Sequence, residues 1–251
     1  DLVTAGVGDN LAITGSGNLS SSGAVTVGGN SSLTVGSTKN ITLTQANDFT
    51  GPVSLSSLDA SLNDTSGIEL GTVALGGNLA VTANGSITQT GDITVSGTTT
   101  LAATGNPITL DRPANDFGTV NTSGSAVTLV DTNGLTFGDT TASSLSVTAN
   151  GTIAQAAGST INVTGTTTLA AGSANSITLA EATNDFGTVN GSVSSSGVLT
   201  LNDANGIILG NLTAQASQGL NVTANGSITQ AAGSAIVVFG SRFDSTGYDI
   251  T

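Results

Sequence analysis

Hydrophobic residues fall on alternate positions in short runs along the whole chain. LAVTA at Leu79–Ala83, DITVSG from Asp92 and TTLAAT from Thr99 are representative, and Gly, Asn or Ser interrupts each run within a few residues. A period of two in Val, Ile, Leu and Thr predicts β-strands whose successive side chains point to opposite faces. Helices are not expected, because Gly, Ser, Thr and Asn recur every few residues and each disfavours a helix interior.

The runs themselves repeat. VTANGSITQ at Val81–Gln89 returns as VTANGTIAQ at Val147–Gln155 and again as VTANGSITQ at Val222–Gln230. GTTTLAA occurs at Gly97–Ala103 and Gly165–Ala171, ITL at Ile41, Ile108 and Ile177, and NDF at Asn47, Asn115 and Asn184. A Gly-hydrophobe-x-hydrophobe-Gly motif, starting at Gly67, Gly134 and Gly206, completes each cycle. The period is about 68 residues, so residues 1–251 are expected to form a single solenoid with superrepeats at approximately 10–77, 78–143, 144–217 and a partial 218–251.

Each superrepeat contains three corners. They are Asn84-Gly85, Asn106-Pro107 and Asn133-Gly134 in one copy, and Asn150-Gly151, Asn175-Ser176 and Asn205-Gly206 in the next. Their spacing averages about 23 residues, inside the range of solenoids and arrays. Asn-Gly between strands tolerates positive φ and permits a sharp corner.

Two or three short strands cannot bury a core alone. Stacked coils can, because the inward Val, Ile, Leu and Ala of each coil lie over their equivalents in the next. Antiparallel Asn-Gly hairpins and a propeller are the competing architectures, but three and a half ragged copies close no ring. The expected fold is all-β: a right-handed parallel β-helix (β-solenoid) of about eleven coils, three per superrepeat, with the hand following the usual sense of parallel crossovers.

The stretches GDITVSGTTTLAATGNPITLDRPANDFGTV from Gly91 and AVTLVDTNGLTFGDTTASSLSVTANGTIAQ from Ala126 resemble the repeat region of large bacterial exoproteins similar to filamentous haemagglutinin. The resemblance extends over essentially the whole chain. It implies a right-handed parallel β-helix, export across the outer membrane through a partner transporter, and roles in adhesion, aggregation or extracellular filaments.

Charge narrows the partners. Charged residues make up 8% of the chain, and sixteen acids face only Lys39, Arg112 and Arg242, for a net charge of −13. Stacking explains the shortage, since like charges on adjacent coils would sit ~4.8 Å apart and repel. Phosphate-backbone binding needs clustered Lys and Arg, so nucleic acid is not an expected partner. No apolar run approaches the ~20 residues of a membrane-spanning helix, so membrane insertion is not expected either. The first ten residues, DLVTAGVGDN, have neither a basic nor an apolar leader region, which suggests a mature form or a window of a longer chain. Cys and His are both absent, which removes disulfides, thiol chemistry and the commonest general base.

Several residues invite a chemical reading. Asp48, Asp116 and Asp185 of the NDF motifs are equivalent positions about three coils apart and cannot share one metal ion. They are expected at turns, with Phe49, Phe117 and Phe186 covering the core. Asp64, Asp131 and Asp203 are expected to cap Asx-turns, and neither set has a calcium-loop pattern. Asp111, Arg112 and Asp116 flank Pro113 and read as a charged loop. No metal, cofactor or catalytic residue is therefore assigned, and enzyme activity is not expected. The triple Thr98–Thr100 raises a flat hydroxyl array of the ice-binding kind, as a minor alternative. Sequons at Asn84, Asn150, Asn162 and Asn225 leave glycosylation open.

The segment Ala235–Thr251 departs from the repeat and concentrates Phe239, Phe243 and Tyr248, which are expected to form a cap or an inter-subunit contact. The functional expectation is a structural segment of a secreted or cell-surface rod, fibre or adhesin. It would associate with itself, as a homopolymer or a lateral bundle. The alternative is a glycan- or ligand-binding face directed at cell-surface glycans.

Overall fold

The computed structural model describes every residue except Val3, Thr4 and Gln218. Among the described residues the regular structure is entirely β-strand, from Ala5–Val7 to Ser241–Asp244. The chain divides into two compact units, Asp1–Ala126 and Val127–Thr251.

In the first unit, strands separated by one coil pair side by side and in parallel. One ladder of paired positions runs Leu19, Ile41, Ala60, Leu79, Thr99, Val120. Another runs Ile68, Ile87, Ile108. The second unit is built alike, with a ladder through Leu135, Ile153, Ile177, Leu199, Leu220 and Ser241. The two strands flanking Asn84-Gly85, Leu79–Ala83 and Ile87–Gln89, pair with the coils before and after rather than with each other. That settles the architecture as a parallel β-solenoid and removes the hairpin alternative. The coils of the two units number about eleven at ~23 residues each.

Period-two alternation fills the interior. Leu79 and Val81 are buried while Thr82 between Val81 and Ala83 is exposed, and Leu220–Ala224 shows the same pattern. Phe49, Phe117, Phe137 and Phe186 are the largest fully buried side chains. Their burial follows from coil stacking: Phe49 lies beside Val27, and Phe186 beside Val163, on neighbouring strands.

The corners turn without using positive φ at their Asn-Gly pairs. The Gly of Asn84-Gly85 and Asn150-Gly151 does not adopt positive φ; left-handed glycines sit instead at Gly105, Gly158, Gly233 and Gly247. At Gly158 and Gly233 they close tight turns, with Ser159 N–H bonded to Ala156 O and Ser234 N–H to Ala231 O. The Asn-Gly corners need glycine because they stack. A Cβ on Gly85 would lie 2.6 Å from the backbone nitrogen of Gly67, and one on Gly151 would lie 2.7 Å from that of Gly134. Backbone meets backbone there, so there is no flexible side chain to move aside.

Gly151→Ala is therefore expected to destabilise the protein by roughly 1–3 kcal/mol, the usual cost of overpacking a filled site. Guanidinium unfolding of the two proteins measures it, and an unchanged midpoint would show that the corners are loosely stacked.

Candidate functional site

The NDF asparagines occupy the interior, which sequence reading did not foresee. Asn47, Asn115 and Asn184 are completely buried. In each, the side-chain Oδ1 accepts a backbone N–H from one coil earlier: Val25 at 2.9 Å, Ile93 at 3.0 Å and Ile161 at 2.9 Å. Asn115 and Asn184 also form reciprocal amide pairs with the last residue of the VTANG motif. Gln89 Nε2 donates to Asn115 Oδ1 at 2.8 Å and Asn115 Nδ2 returns a bond to Gln89 Oε1 at 2.8 Å. Gln155 and Asn184 repeat this at 2.6 and 2.8 Å. In the first copy Ser21 stands where the Gln would be, and Asn47 Nδ2 turns to the Leu43 and Asn63 carbonyls.

The expected Asx caps are present, and they reach further than a turn. Asp64 Oδ1 accepts the Ser66 N–H at 2.7 Å, while its Oδ2 accepts the Phe49 N–H at 2.8 Å from the preceding coil. Asp203 does the same with Asn205 at 2.9 Å and Phe186 at 2.8 Å, and Asp131 Oδ1 accepts the Asn133 N–H at 2.8 Å. Burial pushes the Asp203 carboxyl above its ordinary 3.8. The N–H groups of Phe186 and Asn205 oppose the rise, and the charge of Asp185 adds to it.

The remaining candidates serve local contacts. Asp48 accepts a bond from Ser66 Oγ at 3.3 Å and Asp185 one from Asn205 Nδ2 at 3.1 Å, each linking to the next corner. Arg112 Nε donates to Asp92 Oδ1 at 2.5 Å, with both side chains nearly half exposed. Among the described residues no three acids gather in a form that could hold a metal ion. The Thr triples do not make a flat hydroxyl face, because the middle residues Thr99 and Thr167 point into the core and are completely buried. Thr100 is flanked in its ladder by Ala80 and Asn121.

The last coil differs from those before it. Val237, Phe239, Tyr248 and Ile250 are exposed by 56%, 76%, 59% and 51%, while Ile208 is the other exposed large apolar side chain among the described residues. Phe243 is half-buried beside Val222. Gln230 ends the third VTANG motif. Its Nε2 bonds to Ser234 O at 2.8 Å. A cavity of about 160 Å³ opens beside Gln230, Ile236, Phe243 and Ile250. Gln230 and Ile236 are the counterparts of Gln155 and Ile161, the two residues that Asn184 bridges in the copy before.

Parallel coils joined by repeated interior Asn, Gln and Asp brackets define a β-solenoid repeat protein. A family model for repeats of unknown function (DUF5649) matches residues 1–56, 57–123, 124–192 and 196–251, and the chain belongs to that family. Neither a curated protein nor a solved structure matches it.

Two outcomes test the brackets. Asn184→Ala strips acceptors from the Ile161 N–H and the Gln155 carboxamide inside the core, and is expected to cost roughly 2–4 kcal/mol in chemical denaturation. For Asp203, a folded-state pKa above 3.8 means that protonation stabilises the fold. That stability is fully present below the unfolded value and is lost as pH rises through the folded one. The thermal stability of wild type relative to Asp203→Asn is expected to fall as pH is raised from 3.8. A difference that is flat with pH would reject the assignment.

Proposed function

We propose that this chain is a structural segment of an extracellular rod, fibre or adhesin, acting through coil stacking and association with further copies or coils. Coil stacking carries the reading: each coil pairs in parallel with the coils before and after it, as Leu79 does with Ala60 and Thr99, and the same ladders suit the addition of further coils or copies. Phe239 and Tyr248 are exposed and Phe243 is half-buried, and they act as contact residues in the proposal.

The outer ladders consist largely of neutral Thr, Ser, Asn and Ala, since charged residues are 8% of the chain, and neutral rows of this kind suit lateral packing. The resemblance to haemagglutinin-like exoproteins supports placement at the cell surface, export through an outer-membrane transporter, and contact with surface glycans. A glycan-binding face is the second reading; outward pairs such as Thr100 with Asn121, 3.3 Å apart, are the kind of polar surface it would use.

Sedimentation velocity and electron microscopy over rising concentration test the first reading. Filaments or bundles are expected for the wild type, and shorter or single particles for the double variant Phe239→Ser/Tyr248→Ser. A wild type that stays monomeric at every concentration would reject self-association.

A further inference from the structure

We propose that Asn133 and Asn205 are sites of spontaneous succinimide formation, set apart by coil stacking from Asn84 and Asn150 among the Asn-Gly pairs of the chain. The pairs begin at Asn84, Asn133, Asn150, Asn190, Asn205 and Asn225. Exposure does not separate the corner asparagines, since Asn84, Asn133, Asn150, Asn205 and Asn225 are all exposed. The destination of the glycine N–H does.

At two corners that N–H is committed to a neighbouring coil: Gly85 donates to Ser66 O at 2.7 Å, and Gly151 donates to Asn133 O. Gly191 lies within the strand Asp185–Val193. At Asn133 and Asn205 the glycine N–H donates instead to the side chain of the preceding asparagine, a bond that involves no neighbouring coil and keeps the nitrogen beside the carboxamide. Gly134 N lies 2.6 Å from Asn133 Oδ1, and Gly206 N lies 2.6 Å from Asn205 Oδ1. The Asn205 carboxamide is also oriented from its far side, with Nδ2 bonded to Asp185 Oδ1 at 3.1 Å. A fixed nucleophile beside a fixed electrophile lowers the entropic part of the barrier.

The chemistry needs only hydroxide and water. Hydroxide removes the glycine amide proton, and the nitrogen attacks Asn Cγ. The new N–Cγ bond forms, the Cγ–Nδ2 bond breaks, and ammonia leaves with a proton from water, which restores the hydroxide. Water then opens the ring at either carbonyl, giving an aspartyl residue or an isoaspartyl residue whose main chain runs through the former side chain. Either product places a new carboxylate at the corner; at Asn205 it stands beside the buried Asp203, whose Oδ1 accepts the Asn205 N–H. The isoaspartyl form also lengthens the backbone of a stacked corner. Older molecules would thus loosen first at these two coils.

The test is peptide mapping by mass spectrometry of the intact folded chain, incubated at pH 8 and 37 °C, with isoaspartate counted at each Asn-Gly pair. Conversion at Asn133 and Asn205 is expected to exceed that at Asn84 and Asn150 by at least about fivefold, the rate factor for one backbone hydrogen bond that must open first. In guanidinium the rates are expected to converge, because the sequences are alike and the stacking is gone. Asn205→Gln, folded, is expected to lose the signal at that corner alone. Equal rates at all four corners in the folded chain, or faster conversion at Asn84 or Asn150, would overturn the proposal.

Discussion

Everything in this molecule depends on one constraint: a coil of some twenty residues has no interior of its own. Its strands are too short to cover their aliphatic side chains, and their backbone edges stay open until another coil pairs with them. Parallel inter-coil hydrogen bonding and aliphatic burial therefore form together. The ladders from Leu19 to Val120 and from Leu135 to Ser241 are both the hydrogen-bonding path and the core.

Corners are where this scheme is weakest, because strand pairing lapses there and leaves N–H groups inside. Buried asparagine, glutamine and aspartate side chains take over at those points. Asn115 and Asn184 accept one stranded N–H each and lock to a glutamine on another coil, and Asp64 and Asp203 each span two coils with one carboxylate. Such brackets cost desolvation, and burial raises the Asp203 pKa accordingly. In return they are satisfied only when adjacent coils are in one register. A slip by one residue would bury the same polar groups without partners.

The same logic assigns a role to the unusual surface. With few charges, stacked equivalents do not repel, and the sides of each unit present Thr, Ser, Asn and Ala in rows. The aromatic side chains exposed on the last coil stand against that background as contact residues of the proposed assembly. The acids and the arginine that invited a chemical reading make local contacts: Asp48 and Asp185 bond to the next corner, and Arg112 pairs with Asp92.

The sequence by itself determined the class of fold. Alternation of Val, Ile and Leu at period two, repeated at the coil length, leaves stacked parallel strands as the arrangement that buries those residues. It also marked Asp64, Asp131 and Asp203 as caps, because an Asp two residues before a corner bonds locally whatever surrounds it. The interior role of Asn47, Asn115 and Asn184 was decided only in three dimensions. The backbone N–H groups they accept and the Gln155 that Asn184 binds lie 22 to 29 residues away along the chain, and a polar residue beside Asp reads locally as a turn. The repeated Gln at the end of VTANGSITQ was the available signal. The need for glycine at the Asn-Gly corners was likewise decided in three dimensions. What excludes a side chain there is the backbone of the next coil, and its distance is set by stacking rather than by the residues of the corner itself.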